Sequence, residues 1–145
     1  MLSAQLGRNR MGDITAWTAD LSVGNRRIDD QHKNLFRLGR EALRLIEEDK
    51  DNKERAYEVL NDIVEAINKH FEAEEEMLAR KAYPFLNEHK EEHRVFRARF
   101  LDLLIKYQLR SLDREVLIEI MRDWIINHVS ITDLSCKEYF AEANG

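Results

Sequence analysis

Apolar side chains recur along most of this chain at intervals of three and four residues, which is the period of an amphipathic α-helix. The pattern forms four blocks, which run from near Ile28 to Ile46, from about Lys53 to Arg80, from Tyr83-Pro84 to Tyr107, and from Leu117 to His128. Short polar breaks such as Asp49-Lys50-Asp51-Asn52 separate the blocks and predict turns. Four amphipathic helices joined by short turns predict an all-α fold, an up-down-up-down four-helix bundle.

The N-terminal part of the chain lacks this period. Residues 1–13 are polar and are expected to form a flexible extension, whereas residues 14–141 are expected to form a single bundle domain. The segment 14–25 carries Trp17 and Leu21 in a loop-like context. We expect this loop to lie across one end of the core.

Composition and charge exclude several classes of protein. The net charge of −5 is mild, and no basic cluster with interleaved aromatic residues is present, so no nucleic acid partner is expected. No apolar run reaches the roughly 18 residues that span a bilayer, so no membrane is expected either. The single cysteine, Cys136, forms no internal disulfide and fits a reducing compartment. We expect a cytoplasmic protein.

The histidines are the first candidate functional residues. A lone histidine on an apolar face is usually a core residue with its hydrogen bond satisfied. Here all five histidines of the chain fall on the inward stripe of their helix: His32, His70, His89, His93 and His128. Five imidazoles buried in one small bundle would leave many polar nitrogens without partners, and metal coordination would satisfy them.

Two carboxylates extend this set. Glu74 follows His70 by one helical turn on the same face, whereas Glu75 falls largely off that face. Asp133 follows His128 by five residues, a spacing that turns through about 140° on a regular helix. For both side chains to reach one centre, the helix must end, tighten or bulge between them, and such bulges are frequent at functional sites.

The resulting set contains five neutral nitrogen ligands and two anions. A zinc site usually needs only four ligands, so seven donors indicate two metal ions bridged by the carboxylates. Imidazole favours iron, copper, nickel or zinc, whereas calcium and magnesium prefer shells made entirely of oxygen. With a solvent-derived oxygen bridge added, these donors leave one coordination position open for a small ligand.

Four motifs make the chain resemble the hemerythrin family, in particular its single-domain bacterial members, from Ile14 to Phe140. They are Trp17…Asp29-Asp30-Gln31-His32, His70-Phe71-x-x-Glu74, Tyr83-Pro84…His89-x-x-x-His93 and Trp124-x-x-x-His128-x-x-x-x-Asp133. Cys136 departs from the family, which often carries an aromatic residue there, and we expect its thiol to pack in the core.

The resemblance implies two non-haem iron ions with a bridging oxo or hydroxo group. His89, His93 and His128 would hold one iron. His32 and His70 would hold the other, which keeps the open position. Glu74 and Asp133 would bridge the two ions. The implied ligand is O2, or a small anion such as azide, and the implied function is reversible O2 binding for transport, storage or sensing, without enzyme activity. A monomer is expected, with a separate protein partner if the chain is a sensor.

Two other functions compete with this one. The runner-up is a di-iron enzyme that handles peroxide or nitric oxide, and the third is a metal-handling protein. No inward lysine, tyrosine or spare histidine is expected near the ligands, which leaves an enzyme without a general acid. The expected neighbours of the site are instead apolar: Phe36, Phe71, Phe96, Trp124 and Ile125.

Overall fold

The computed structural model describes residues 16–48, 51–109 and 114–141, without the side chains of residues 108, 109, 114 and 125–127. The elements, in chain order, are a 3₁₀ turn at Ala19–Leu21, α1 at Arg26–Glu48, α2 at Lys53–Arg80, α3 at Leu86–Leu109, α4 at Arg114–Asp123, a π-helical segment at Trp124–Asp133, and α5 at Lys137–Phe140. Helices α1 and α3 each pack against both α2 and α4. The prediction of an all-α four-helix bundle is therefore confirmed. None of the helices described is long and apolar enough to cross a membrane.

Helix α1 begins at Arg26, slightly before the predicted start near Ile28, because Asn25 caps it. The Asn25 Oδ1 atom accepts a hydrogen bond from the backbone N–H of Ile28 at 3.1 Å, which satisfies one of the free donors of the first turn. The Asn25 Nδ2 atom donates to the carbonyl of Phe140 at 2.9 Å. One side chain thus joins the start of α1 to the end of the described chain.

Helix α3 begins at Leu86, and the prediction that Tyr83-Pro84 opens it is wrong. Ala82 has a φ of 54°, in the left-handed region of the backbone map. Tyr83 precedes Pro84, and the residue before a proline is disfavoured in the helical region. The Tyr83 N–H donates instead to the carbonyl of Leu78 at 3.0 Å, which closes a turn. This turn reverses the chain, so α3 runs back along α2.

The core has two apolar clusters separated by a polar layer. The larger cluster includes Leu35, Phe71 and Phe96, and the loop residues Trp17 and Leu21 pack against it as predicted. The smaller cluster contains Val23, Ile28, Ala73, Leu78, Cys136 and Phe140. On α1, His32 lies between Ile28 of the smaller cluster and Leu35 of the larger one, and on α3 both histidines lie between Leu86, beside the smaller cluster, and Phe96 of the larger one.

Candidate metal centre

The structure brings all seven predicted ligands into one buried layer. Helix α1 supplies one histidine, α2 supplies a histidine and a glutamate, α3 supplies two histidines, and the π-helical segment supplies a histidine and an aspartate. None of the seven is more than 3% exposed: His32, His70, Glu74, His89, His93, His128 and Asp133. Their nitrogen and oxygen atoms form overlapping groups in which the atoms lie within 4.8 Å of one another, a spacing that suits metal ions.

The π-helical segment explains how His128 and Asp133 reach the same centre. In a π-helix each N–H bonds to the carbonyl five residues earlier, so the turn is wider than in an α-helix. Side chains five positions apart then project from nearly the same face of the helix. His128 Nε2 and Asp133 Oδ2 are 3.1 Å apart. The predicted bulge between the two residues is confirmed.

Glu74 contacts two sets of imidazoles through its two oxygens. Its Oε1 atom contacts Nε2 of His70 and lies 3.5 Å from Nε2 of His32. Its Oε2 atom lies 2.9 Å from Nε2 of His89 and 3.5 Å from Nε2 of His93. The carboxylate therefore lies between the two sets, where a bridging ligand would be placed.

Asp133 has a similar arrangement. Its Oδ2 atom lies 2.8 Å from Nε2 of His32, and its Oδ1 atom lies 3.6 Å from Nε2 of His89. The ring of His128 is closer to His93, at 4.8 Å between centroids, than to His70, at 6.1 Å. By ring position His128 groups with the histidines of α3. Its Nε2 atom, however, lies 3.4 Å from Oε1 of Glu74 and 3.1 Å from Oδ2 of Asp133, the oxygens that contact His70 and His32.

Several of these polar atoms have no hydrogen-bond partner in the described part of the chain. They include Nε2 of His70, Nε2 of His93 and Oδ1 of Asp133, all fully buried. A buried polar atom left without a partner costs about 1–3 kcal/mol. Imidazole nitrogens and carboxylate oxygens are common ligands of transition metals, so a bound cation would satisfy these atoms. The residues present fit a metal centre.

The charges of the layer are balanced in the metal-free protein by protons. Burial alone would raise the pKa of Glu74, but His70 and His128 outweigh it and hold the pKa well below its usual range. Burial would lower the pKa of His32 and His128, but Asp133 and Glu74 outweigh it and raise these pKa values to about 9 and about 10. The pKa of Asp133 is also lowered, because His128 and His32 outweigh burial and the nearby Glu74. Burial lowers the pKa of His70 to about 4. Two carboxylates that favour the anion thus face two imidazoles that favour the cation, and a bound metal would take the place of those protons.

Two further side chains orient the ligands from outside the cluster. His70 Nδ1 lies 2.7 Å from Oε1 of Gln31, and His93 Nδ1 lies 2.9 Å from Oε2 of Glu75. Because both partners are oxygen acceptors, Nδ1 is the donor and Nε2 presents its lone pair to the cluster. The prediction that Glu75 lies off the inward face is incomplete, since its carboxylate is half-buried against α3. In the sequence, only their positions beside predicted ligands indicate Gln31 and Glu75: Gln31 precedes His32, and Glu75 follows Glu74.

Aromatic rings pack tightly around the cluster. The ring of Phe71 stacks on His93 with 3.8 Å between centroids, and the ring of Trp124 stacks on His128 at 4.4 Å. Phe36 and Phe96 are buried in the same core. The prediction of apolar neighbours is confirmed for Phe71 and Trp124, and Phe96 contacts both of these rings. The side chain of Ile125 lies outside the described structure.

Cys136 and Tyr83 also lie beside the cluster. The thiol of Cys136 is fully buried, donates to the carbonyl of Thr132 at 3.2 Å, and has a pKa raised by burial, which supports a packing role. Tyr83 lies edge-on against His89, with 6.3 Å between ring centroids. The expectation of no inward tyrosine near the ligands did not take account of Tyr83, a half-buried side chain that the turn before α3 places beside His89.

Comparison with known proteins agrees with this geometry. Residues 23–138 match the family model described as the Hemerythrin HHE cation binding domain. The bacteriohemerythrin of Stenotrophomonas maltophilia is 29% identical over 118 residues, which cover 80% of this chain and 74% of the relative. The bacteriohemerythrin of Campylobacter jejuni is 27% identical over 123 residues, which cover 84% and 92%. The chain therefore belongs to the hemerythrin family, as a cation-binding helical domain with a buried cluster of histidine, glutamate and aspartate side chains.

Proposed function

We propose that this protein binds O2 reversibly at two non-haem iron ions joined by an oxo or hydroxo bridge. The observation that carries the proposal is the position of two carboxylates, each of which has one oxygen toward the set that contains His32 and His70 and the other toward the set that contains His89. One metal ion would need only one such set. The name of the two relatives, bacteriohemerythrin, supports the same function.

The proposed ligands divide into two positions and two bridges. His32 and His70 hold one ion, since their rings are 4.5 Å apart. His89, His93 and His128 hold the other, since the rings of His89 and His93 are 4.4 Å apart and His128 lies nearest to His93. Glu74 and Asp133 bridge. The proposed domain spans residues 14–141.

The surrounding side chains determine what the site does. When bound, a pair of ferrous ions supplies the electrons and the open position with which O2 is taken up and released. The rings of Phe71 and Trp124 cover the imidazoles and keep bulk water away from them, which protects a reduced site from proton-assisted oxidation. Gln31 and Glu75 hold Nε2 of His70 and of His93 toward the cluster.

One observation favours the alternative, an iron enzyme that acts on peroxide or nitric oxide. Tyr83 lies beside His89, and its phenol carries a proton at neutral pH. A general acid contributes about 10²–10⁴-fold to a reaction that needs a proton, but burial raises the pKa of Tyr83 further above neutral pH and makes it a weaker acid. Reversible binding needs no such donor.

The deciding experiment is an optical spectrum of the ferrous protein, recorded without air, after exposure to air, and again after degassing. We expect a visible charge-transfer band that appears with air and disappears on degassing, with two irons per chain. A band that never reverses, or a single metal per chain, would contradict the proposal. Steady consumption of peroxide or nitric oxide with a reductant, lost in Tyr83→Phe, would favour the enzyme.

A further inference from the structure

Two histidines of the cluster donate hydrogen bonds to side chains outside it, and the two acceptors differ in charge. His93 donates to the carboxylate of Glu75 at 2.9 Å, and His70 donates to the neutral carboxamide of Gln31 at 2.7 Å. The two lengths are similar, and each bond leaves Nε2 of its histidine facing the cluster. The two imidazoles are thus oriented alike but supported by different acceptors.

The acceptor changes the strength of the imidazole as a ligand. A carboxylate draws the Nδ1 proton more strongly than an amide oxygen does, and a hydrogen bond to a charged acceptor is about twice as strong as a neutral one. Electron density on Nε2 rises accordingly, so a carboxylate-backed imidazole binds a cation more tightly. His93 should therefore be a stronger ligand than His70.

In the proposed division of the ligands, the position of His93 also has more imidazoles. His93 is grouped with His89 and His128, whose ring centroids lie 4.4 Å and 4.8 Å away. The close partner of His70 is His32, at 4.5 Å, whereas His128 is 6.1 Å away. Three imidazoles, one backed by a carboxylate, face two imidazoles, one backed by an amide.

We propose that Gln31 and Glu75 are positioning residues that make the two metal positions unequal, so that the ion held by His32 and His70 exchanges readily and the other does not. This inference rests on the proposed function, because it requires two ions. It adds that the difference in affinity is set by two side chains that touch neither metal.

The test is the rate at which an excess of an iron(II) chelator removes iron from the ferrous protein without air. The parent protein should release two irons per chain in two phases of equal amplitude. Gln31→Glu places a carboxylate behind His70 and should slow the fast phase about tenfold, with the slow phase unchanged. Glu75→Gln removes the carboxylate behind His93 and should accelerate the slow phase about tenfold. The two substitutions combined should reduce or reverse the difference between the phases.

Neighbouring positions supply matched controls. Glu76→Gln makes the same chemical change one residue away, at an exposed side chain that pairs with Arg80. Asn34→Asp adds a charge one turn along α1 from Gln31, at an exposed side chain that accepts from Arg37. Both controls should release iron at the parent rates, which separates the hydrogen bond from the added or lost charge.

The outcomes distinguish this inference from the proposed function. Fewer than two irons per chain would overturn the proposed function, and the inference with it. Two irons that leave in one phase, or two phases that change equally in every variant, would overturn the inference alone. Circular dichroism shows whether Gln31→Glu still folds, and if it does not, the slow phase of Glu75→Gln decides the matter.

Discussion

The same four helices build two contrasting regions of core. In the larger apolar cluster, Leu43, Leu60, Ile63 and Leu117 are buried with at most 2% of their surface exposed. Around Glu74, the helices instead bury five imidazoles and two carboxylates among aromatic rings. Burying a large apolar side chain stabilises the fold by about 1.5–3 kcal/mol, whereas burying an ion costs several kcal/mol unless it is well paired. The apolar region stabilises the bundle by itself, whereas the contribution of the region around Glu74 depends on the cation that it binds.

Metal removal should show the largest difference between the two regions. Metal that binds only the folded state adds about 4 kcal/mol to the free energy of unfolding when free metal is one thousand times its Kd. We therefore expect a chelator to lower the melting temperature. Hydrogen exchange should then accelerate around His70 and His128 and stay slow around Leu60. Melting that is unchanged after the iron has been removed would contradict this dependence.

His93→Ala should reduce stability and iron content together. The substitution removes one ligand and the ring that stacks on Phe71 at 3.8 Å. Its cost in free energy of unfolding should be larger in iron-loaded protein than in metal-free protein, because only the loaded form loses coordination. Chemical unfolding of both forms, with iron analysis, measures the difference. Equal costs in both forms would show that His93 acts through packing.

Leu60→Ala tests the apolar region by the same measurement. Truncating a buried leucine costs about 2–5 kcal/mol, through lost burial and the cavity that remains. Leu60 is 1% exposed and belongs to the larger apolar cluster. We expect a similar loss in loaded and metal-free protein, with two irons still bound per chain. A loss of iron in this variant would show that the two regions are coupled.

Cys136→Ser should have the smallest effect. The serine hydroxyl can donate to the carbonyl of Thr132, as the thiol does at 3.2 Å, and it occupies similar space. Iron content should match that of the parent, and stability should change by about 1 kcal/mol or less. A changed rate of oxidation in air, followed by the optical spectrum, would instead give the thiol a functional part.

The helices and the set of side chains that meet in the buried layer were predictable because both depend on local spacing. An interval of four residues places His89 and His93 on one face wherever the helix lies. The interval of five between His128 and Asp133 required an irregular turn, and the π-helical segment is that turn. These predictions need no knowledge of how the helices are arranged.

The remaining features depend on distances between elements, which spacing does not contain. Glu75 reaches His93 because α2 and α3 pack closely at that level. Tyr83 lies beside His89 because Ala82 adopts a left-handed backbone conformation. Helical periodicity alone assigns Glu75 to the outer face and Tyr83 to the start of the third helix.

The wide turn at Trp124–Asp133 also determines which way the side chains of the following helix, α5, face. Each residue of a regular helix turns the chain by about 100°, so deleting one residue within the segment would rotate α5 by about that angle. Phe140 would leave the small apolar cluster, and its carbonyl would no longer accept from Asn25. The contact between the start of α1 and α5 would be lost. Limited proteolysis would detect this loss as faster cleavage after Asp133 than in the parent protein. The π-helical segment therefore sets the direction of α5, so that the carbonyl of Phe140 reaches Asn25 at the start of α1.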